Sequence, residues 1–232
     1  MNVLVIDIGG SSIKVAVAHA AQSGRLPSDS TLGPDALVEK IRRTTAPWRF
    51  DRVSIGVPSR VNANGLVAEP GNLGSGWIGF DFERALGAPV RIVNDAVMQA
   101  LGAYDGGRML FLGLGAGVGS ALVTEGVVVP LELGDLPFGN STIAQHLGRD
   151  AFERDGLDRW RAAVASIVPP LRHACVADYV VIGGGNATHV DPLPADSRRG
   201  GNDDAVEGGW RLWREIVEPH DRPPSPFWRV VA

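Results

Sequence analysis

A chain of 232 residues, 44% hydrophobic and 21% charged, has enough apolar material for a sizeable core in one large domain or in two modest lobes with a cleft between them, and two lobes are the expectation. A formal net charge of −4 argues against general nucleic-acid binding, the single Cys175 excludes an internal disulfide and a multi-cysteine zinc site, and no apolar run approaches membrane-spanning length. With no basic region or cleavage site at the N-terminus, a reducing cytoplasm is the expected location.

Met1 to Asp7 reads as a buried strand through Val3, Leu4, Val5 and Ile6. Gly9-Gly10-Ser11-Ser12 then makes the tip of a β-hairpin whose return strand is Ile13 to Ala18. Such a tip can turn backbone N–H groups and two hydroxyls toward one anion, with Lys14, one of only two lysines, beside it. The plain alternative is a tight turn. Asp7 ends a buried strand, so its carboxylate needs hydrogen bonds or a cation. Residues His19 to Pro34 read as a polar connection, Asp35 to Arg43 as a helix with Leu37, Val38 and Ile41 inward, and Val53 to Val57 as a strand. A turn-rich loop, Glu69-Pro70-Gly71-Asn72-Leu73, leads to Trp77, and helical Phe82 to Leu86 precedes a strand at Pro89 to Val93. Asn94-Asp95 follows at a strand-to-helix junction, where a carboxylate either caps the helix or meets a ligand at the end of a parallel sheet.

After Gly106-Gly107 the pattern starts over, with apolar Met109 to Leu112, a loop with glycine at 113, 115, 117 and 119, and a return strand Ser120 to Val123. Glycine at every second residue bares one face of the backbone for a ligand, or packs a bulged hairpin on its neighbour. A third strand, Gly126 to Pro130, leads into a loop carrying Glu132 and Asp135. Helical segments follow from Thr142 to Val168, closed or kinked by Pro169-Pro170. His146 and His173 have no partner at metal-ligand spacing. The strand Asp178 to Ile182 runs into Gly183-Gly184-Gly185-Asn186, which suits a flat ring lying on bare backbone, or a flexible turn. Asp203 to Val217 reads as a final helix with Val206, Trp210 and Trp213 on its core side, and the tail from Glu218 reads as irregular. The expected divisions are therefore 1–104, 105–217 with the final helix packing back on the first lobe, and a tail at 218–232.

This order of strand, glycine hairpin, Asn-Asp, second glycine hairpin and triple glycine resembles the sugar kinases of the ROK family, and more narrowly their polyphosphate glucokinase branch. The resemblance implies an α/β, actin-like (ribonuclease H-like) ATPase fold of two lobes around a central cleft. It implies a transfer of phosphate from ATP or polyphosphate to the 6-hydroxyl of a hexose, glucose first. Asp95 would be the general base, and Asn72, Asn94, Glu132 and Asp135 would face the sugar. Asp7 would position Mg²⁺ through water. Gly9, Gly10, Ser11, Ser12 and Lys14, with Gly115, Gly117 and Gly119, would hold the donor phosphates, and Gly183, Gly184, Gly185 and Asn186 would lie against adenosine. No zinc is implied, and a homodimer is an option because relatives are commonly dimers. Three positions depart from the family pattern: Asp135 stands where an imidazole is usual, Ser59 where glycine is usual, and Ala116 where threonine is usual. A non-catalytic sugar or nucleotide binder, or a kinase for another hexose, are the alternatives these departures raise.

Overall fold

The computed structural model describes residues 1–10, 12–62, 65–201, 203–214 and 229–230. They fall into two compact units, the first running Met1–Gly102 and including the C-terminal helix, the second starting at Ala103. The first unit contains strands β1 (Val3–Ile8), β2 (Ser12–Val17), β3 (Ser23–Pro27) and β4 (Arg52–Val57), the short ribbon β5 (Val61–Asn62) and β6 (Gly65–Leu66), and β7 (Val90–Asn94). Its helices are α1 (Pro34–Thr45), α2 (Phe82–Leu86) and α3 (Asp95–Ala103). The five-stranded sheet has the order β3-β2-β1-β4-β7. β2 and β3 pair antiparallel on one side of β1, while β4 and β7 pair parallel on the other.

One face of this sheet presents Leu4, Ile6, Ile8, Ile13, Val15, Val53 and Ile55 to Leu37, Val38 and Ile41 of α1, which recur at helical spacing. The segment 19–34, expected as a connection, contributes edge strand β3 instead. Its residues alternate between exposed and half-buried and only Leu26 among them packs on the core, so the strand carries almost no apolar signal.

The second unit contains β8 (Met109–Leu114), β9 (Val118–Thr124), β10 (Val127–Leu131), the ribbon β11 (Pro137–Phe138) and β12 (Ser141–Thr142), helices α4 (Ile143–Leu147), α5 (Arg149–Asp155) and α6 (Leu157–Ala174), then β13 (Tyr179–Gly183) and β14 (Ser197–Arg199). Helix α7 (Asp204–Arg211) belongs to the first unit, and β15 (Arg229–Val230) to the second. The larger sheet runs β14-β13-β8-β9-β10-β15. A hairpin flanked by an antiparallel third strand on one side and parallel strands on the other thus occurs in both units. One sequence expectation is narrowed here and one corrected. Helix α6 is not closed at Pro169-Pro170, one of the two outcomes the sequence allowed, but runs through the pair to Ala174, because Val164, Ile167, Val168 and Leu171 keep their buried spacing across it and hold the last turn in place. The tail is not wholly irregular either, since β15 pairs parallel with β10; 215–228 lie outside the described residues.

Helix α7 buries a different face from the one expected. Ala205, Gly208, Gly209 and Leu212 point inward, and Val206, Trp210 and Trp213 are half-buried flanks. A Cβ on Gly208 would lie 1.7 Å from the Met98 carbonyl oxygen, and one on Gly102 would lie 1.8 Å from that of Asp204. Backbone therefore crosses backbone where α3 meets α7, which is why small residues win the inward positions over tryptophan. Trp213 instead lies against the guanidinium groups of Arg91 and Arg52, 4.3 and 5.1 Å from the ring centre. Its Nε1 donates to the buried Ser54 hydroxyl (2.9 Å), which donates in turn to the Gly209 carbonyl (2.6 Å). Ser54→Ala should lower stability by about 2 kcal/mol in a denaturant titration, because it strands an indole N–H and a carbonyl together. A change below about 0.5 kcal/mol would show that this link is slack.

Candidate functional site

In the first unit the parallel strands β1, β4 and β7 end at one edge of the sheet. Their register sets Asp7 beside Gly56, Gly56 beside Val93 and Val57 beside Asn94. Asp7 and the Asn94-Asp95 junction are therefore about 10 Å apart, two strand spacings along the same edge. The hairpin tip closes at this edge through a hydrogen bond from Gly9 N–H to the Ser12 carbonyl (3.0 Å). Asn72 reaches the tip from the loop after β6: a Cβ on Gly10 would sit 2.6 Å from the Asn72 amide nitrogen. Glycine at 10 is thus what admits that amide. The structure brings together Asp7, Gly9, Gly10, Ser12, Asn72, Asn94 and Asp95, with Lys14 directly across from Asp7 on β2. Ser11 lies outside the described residues.

Asp7 is 7% exposed, and its carboxyl makes no hydrogen bond or ion pair with the described residues. Burial raises its pKa to about 6, with the Lys14 charge pulling the other way. Among the described residues no group of three or more His, Cys, Asp or Glu is placed to hold a metal ion. One unsatisfied carboxylate and no protein cage fits Mg²⁺, which keeps several waters and takes donor phosphate oxygens alongside one or two carboxylates.

At the neighbouring junction the structure separates two roles that the sequence left open for Asp95. Asn94, not Asp95, supplies the main cap of α3: its Oδ1 accepts from the N–H groups of Ala96 (2.9 Å) and Val97 (3.3 Å). Asp95 Oδ1 also lies 2.9 Å from the Ala96 nitrogen. The Asn94 amide nitrogen donates to the Ser59 carbonyl (3.2 Å), so it has one N–H left to offer a ligand. Ser59, seen in the sequence only as a departure from a family pattern, thus belongs to the site through its backbone. Its hydroxyl points elsewhere and donates to the Ala68 carbonyl (2.7 Å).

In the second unit the hairpin tip at 115–117, the loop after β10 and the turn after β13 share one edge of the sheet. Leu131 pairs with Ser120 and Gly183 with Gly113, while Asn186 N–H donates to the Leu114 carbonyl (3.0 Å). Glu132 and Asp135 are both exposed, and Gly134 between them packs against Val118 at the start of β9. The glycines divide into two kinds. A Cβ on Gly183 would strike the Phe111 ring at 2.5 Å, and Gly184 has φ 81° and a Cβ there would lie 2.5 Å from the Leu114 carbonyl oxygen, so internal packing accounts for both. Cβ atoms on Gly115, Gly117 and Gly185 would meet nothing within 4 Å. Nothing among the described residues requires glycine there, which favours close approach of a ligand over a packed bulge. The expectation of bare backbone beside Asn186 therefore narrows to Gly185. The Asn186 amide nitrogen is buried without a hydrogen-bond partner, a group that a ligand acceptor would satisfy.

The open space gives a clean test. Gly117→Ala should leave the melting temperature unchanged or slightly raised, since alanine fits the folded backbone and restricts the unfolded one. The same variant should raise KM for the phosphoryl donor by about fivefold or more if donor phosphates approach this backbone. Unchanged donor KM would return the hairpin to a packing role.

No protein-family model matches the sequence. Polyphosphate glucokinase of Mycobacterium tuberculosis is 27% identical over 210 residues, covering 80% of this chain and 78% of the relative. Among solved structures, an inorganic polyphosphate/ATP-glucomannokinase from Arthrobacter sp. strain KM superposes with a TM-score of 0.77 at 23% identity, covering 90% of this chain and 96% of the other. A ROK hexokinase from Thermus thermophilus gives 0.65 at 21% identity, covering 90% and 97%. The fold is similar to that of these solved sugar kinases. The two glycine hairpins occupy equivalent places in the two units, at the tips of β1–β2 and β8–β9. No helix of the described residues is long and apolar enough to cross a membrane.

Proposed function

We propose that this chain is a hexose kinase that moves a phosphoryl group from ATP or polyphosphate to the 6-hydroxyl of a sugar, glucose first. The observation that carries the reading is the gathering of Asp7, the Gly9–Ser12 tip, Asn72 and Asn94-Asp95 along one edge of a single sheet. The relatives named above, a polyphosphate glucokinase and a polyphosphate/ATP-glucomannokinase, support the same class of substrate and leave mannose as the nearest alternative acceptor.

In this reading the Asp95 carboxylate takes the proton of the sugar hydroxyl as its oxygen attacks the terminal phosphorus and the bond to the leaving phosphate breaks. Asn72 and the free N–H of Asn94 hold ring hydroxyls and fix the attacking oxygen, while Glu132 and Asp135 accept from others. The backbone N–H groups of the Gly9–Ser12 and Gly115–Gly119 tips, with Lys14, hold the donor's anionic oxygens. Asp7 would hold Mg²⁺ through water, and the ion when bound would neutralise charge on the donor phosphates. Gly185 and Asn186 would lie against adenosine when the donor is ATP. Such a site works mainly by alignment and charge stabilisation.

³¹P and ¹³C NMR of the product formed from glucose, Mg²⁺ and either donor should locate the new ester on O6. An ester on another oxygen would reassign the acceptor geometry. A non-catalytic sugar or nucleotide binder is the competing reading, favoured by the exposed anion at Asp135 and the missing hydroxyl at Ala116. Ser59 no longer adds to it, because its side chain bonds within the protein. Calorimetric binding without turnover over a hexose panel would support that second reading.

A further inference from the structure

We propose that Ser59 is a positioning residue that ties the acceptor loop to the base-bearing helix; this deepens the hexose kinase reading and rests on it. Ser59 follows β4 and Pro58, and its own N–H donates to the Val57 carbonyl (2.8 Å), which turns the chain sharply at the sheet edge. From that turn it makes two bonds in different directions. Its carbonyl takes the Asn94 amide N–H (3.2 Å), and the other end of that amide caps α3, whose first residue is Asp95. Its hydroxyl donates to the carbonyl of Ala68 (2.7 Å), four residues before Asn72.

The loop between Ala68 and Trp77 has other anchors as well, and just before it the Val67 N–H donates to the Arg60 carbonyl (3.0 Å). The Glu69 carboxylate accepts from the Trp77 and Ile78 N–H groups (3.0 and 3.4 Å), and Gly74 N–H donates to the Leu32 carbonyl (3.0 Å). Leu73 is buried. The Ser59 hydroxyl adds a side-chain anchor at the entry of the loop that carries Asn72 to Gly10, and it is the one that ties this entry to the residue holding Asn94. Because its carbonyl simultaneously orients Asn94, one residue sets both sides of the acceptor site against each other. A glycine at this position would keep the carbonyl bond and lose the hydroxyl bond, so the serine adds a restraint that bare backbone lacks.

Ser59→Ala removes only the hydroxyl. With glucose as acceptor and saturating donor, it should raise KM about three- to tenfold, the size of one lost hydrogen bond, while kcat stays within about twofold because the Asn94 and Asp95 geometry is kept. Ser59→Thr, which keeps a hydroxyl, should restore KM. Amide hydrogen exchange of the intact protein supplies a readout independent of turnover: Ser59→Ala should speed exchange between Ala68 and Leu73 about tenfold, and Ser59→Thr should not. A merely structural serine would lower the melting temperature without separating KM from kcat. Unchanged loop exchange in Ser59→Ala, or an unchanged KM, overturns the proposal. Absence of glucose turnover in wild type would instead strike the kinase reading, and the exchange measurement would then decide the role of Ser59 alone.

Discussion

Asp95→Asn should lower the rate of sugar phosphorylation by about 10²- to 10⁴-fold, the range that a positioned general base contributes. The same variant should melt within about 3 °C of wild type. Both expectations come from the division of labour at the junction. Asn94 Oδ1 carries the two cap hydrogen bonds of α3, so the helix does not depend on a carboxylate at 95. An asparagine there keeps an oxygen for the Ala96 N–H, which Asp95 Oδ1 meets at 2.9 Å. What is lost is a negative charge in the first helical turn, worth about 0.3–1 kcal/mol, and the ability to accept a proton. Initial rates at saturating sugar and donor, with a thermal melt on the same samples, check both halves. Wild-type rates in Asp95→Asn would remove the base from Asp95, and a collapse of stability would make the carboxylate structural.

Asp7→Asn should do two opposite things, raising stability while sharply lowering metal-dependent transfer. The folded protein holds the Asp7 proton more tightly than the unfolded chain, with a pKa of about 6 against an ordinary value near 3.9. Between those values the folded state binds more protons, so stability falls as pH rises. The penalty is absent below about pH 4 and complete above about pH 6, where a two-unit difference amounts to about 3 kcal/mol. Asparagine has no charge to desolvate, so at pH 8 the variant should melt about 5–10 °C above wild type without added metal, and the two should converge near pH 4. Activity with Mg²⁺ should fall by about 10²-fold or more, because the one buried carboxylate on this sheet edge that fits the ion is gone. Equal melting temperatures at pH 8 would mean that Asp7 is not carrying an unpaired charge in the folded state. Retained activity would move the metal away from it.

Much of this was legible in the sequence because burial and turn chemistry leave strong marks. The apolar runs of β1, β4, β8 and β13, and the glycines that follow β1, β8 and β13, announce both hairpins and their order. What escaped depended on tertiary contact. β3 sits at a sheet edge and alternates too weakly to stand out, and α6 passes two prolines because its buried face outweighs them. The inward face of α7 looked like its tryptophans, whereas contact at Gly102 and Gly208 left no room for a side chain. At the site, the residue types at Asp7, Asn72, Asn94 and Asp95 could be read as candidates, but not that Asn94 would be the cap or that Ser59 would join it to the loop before Asn72. Nor could the sequence tell Gly183 and Gly184, which packing demands, from Gly115 and Gly117, which it does not. That distinction needs the neighbours of each Cβ position.

An acceptor hydroxyl and an anionic donor are expected to react on this protein. The most direct measurement is sugar-phosphate formation by the purified wild-type chain with Mg²⁺, for glucose, mannose and N-acetylated hexosamines, each supplied with ATP and, separately, with polyphosphate. Catalytic turnover of at least one hexose with at least one donor, many product molecules per protein molecule, is the predicted result. Sugar binding with no transfer from either donor across the whole panel would contradict it.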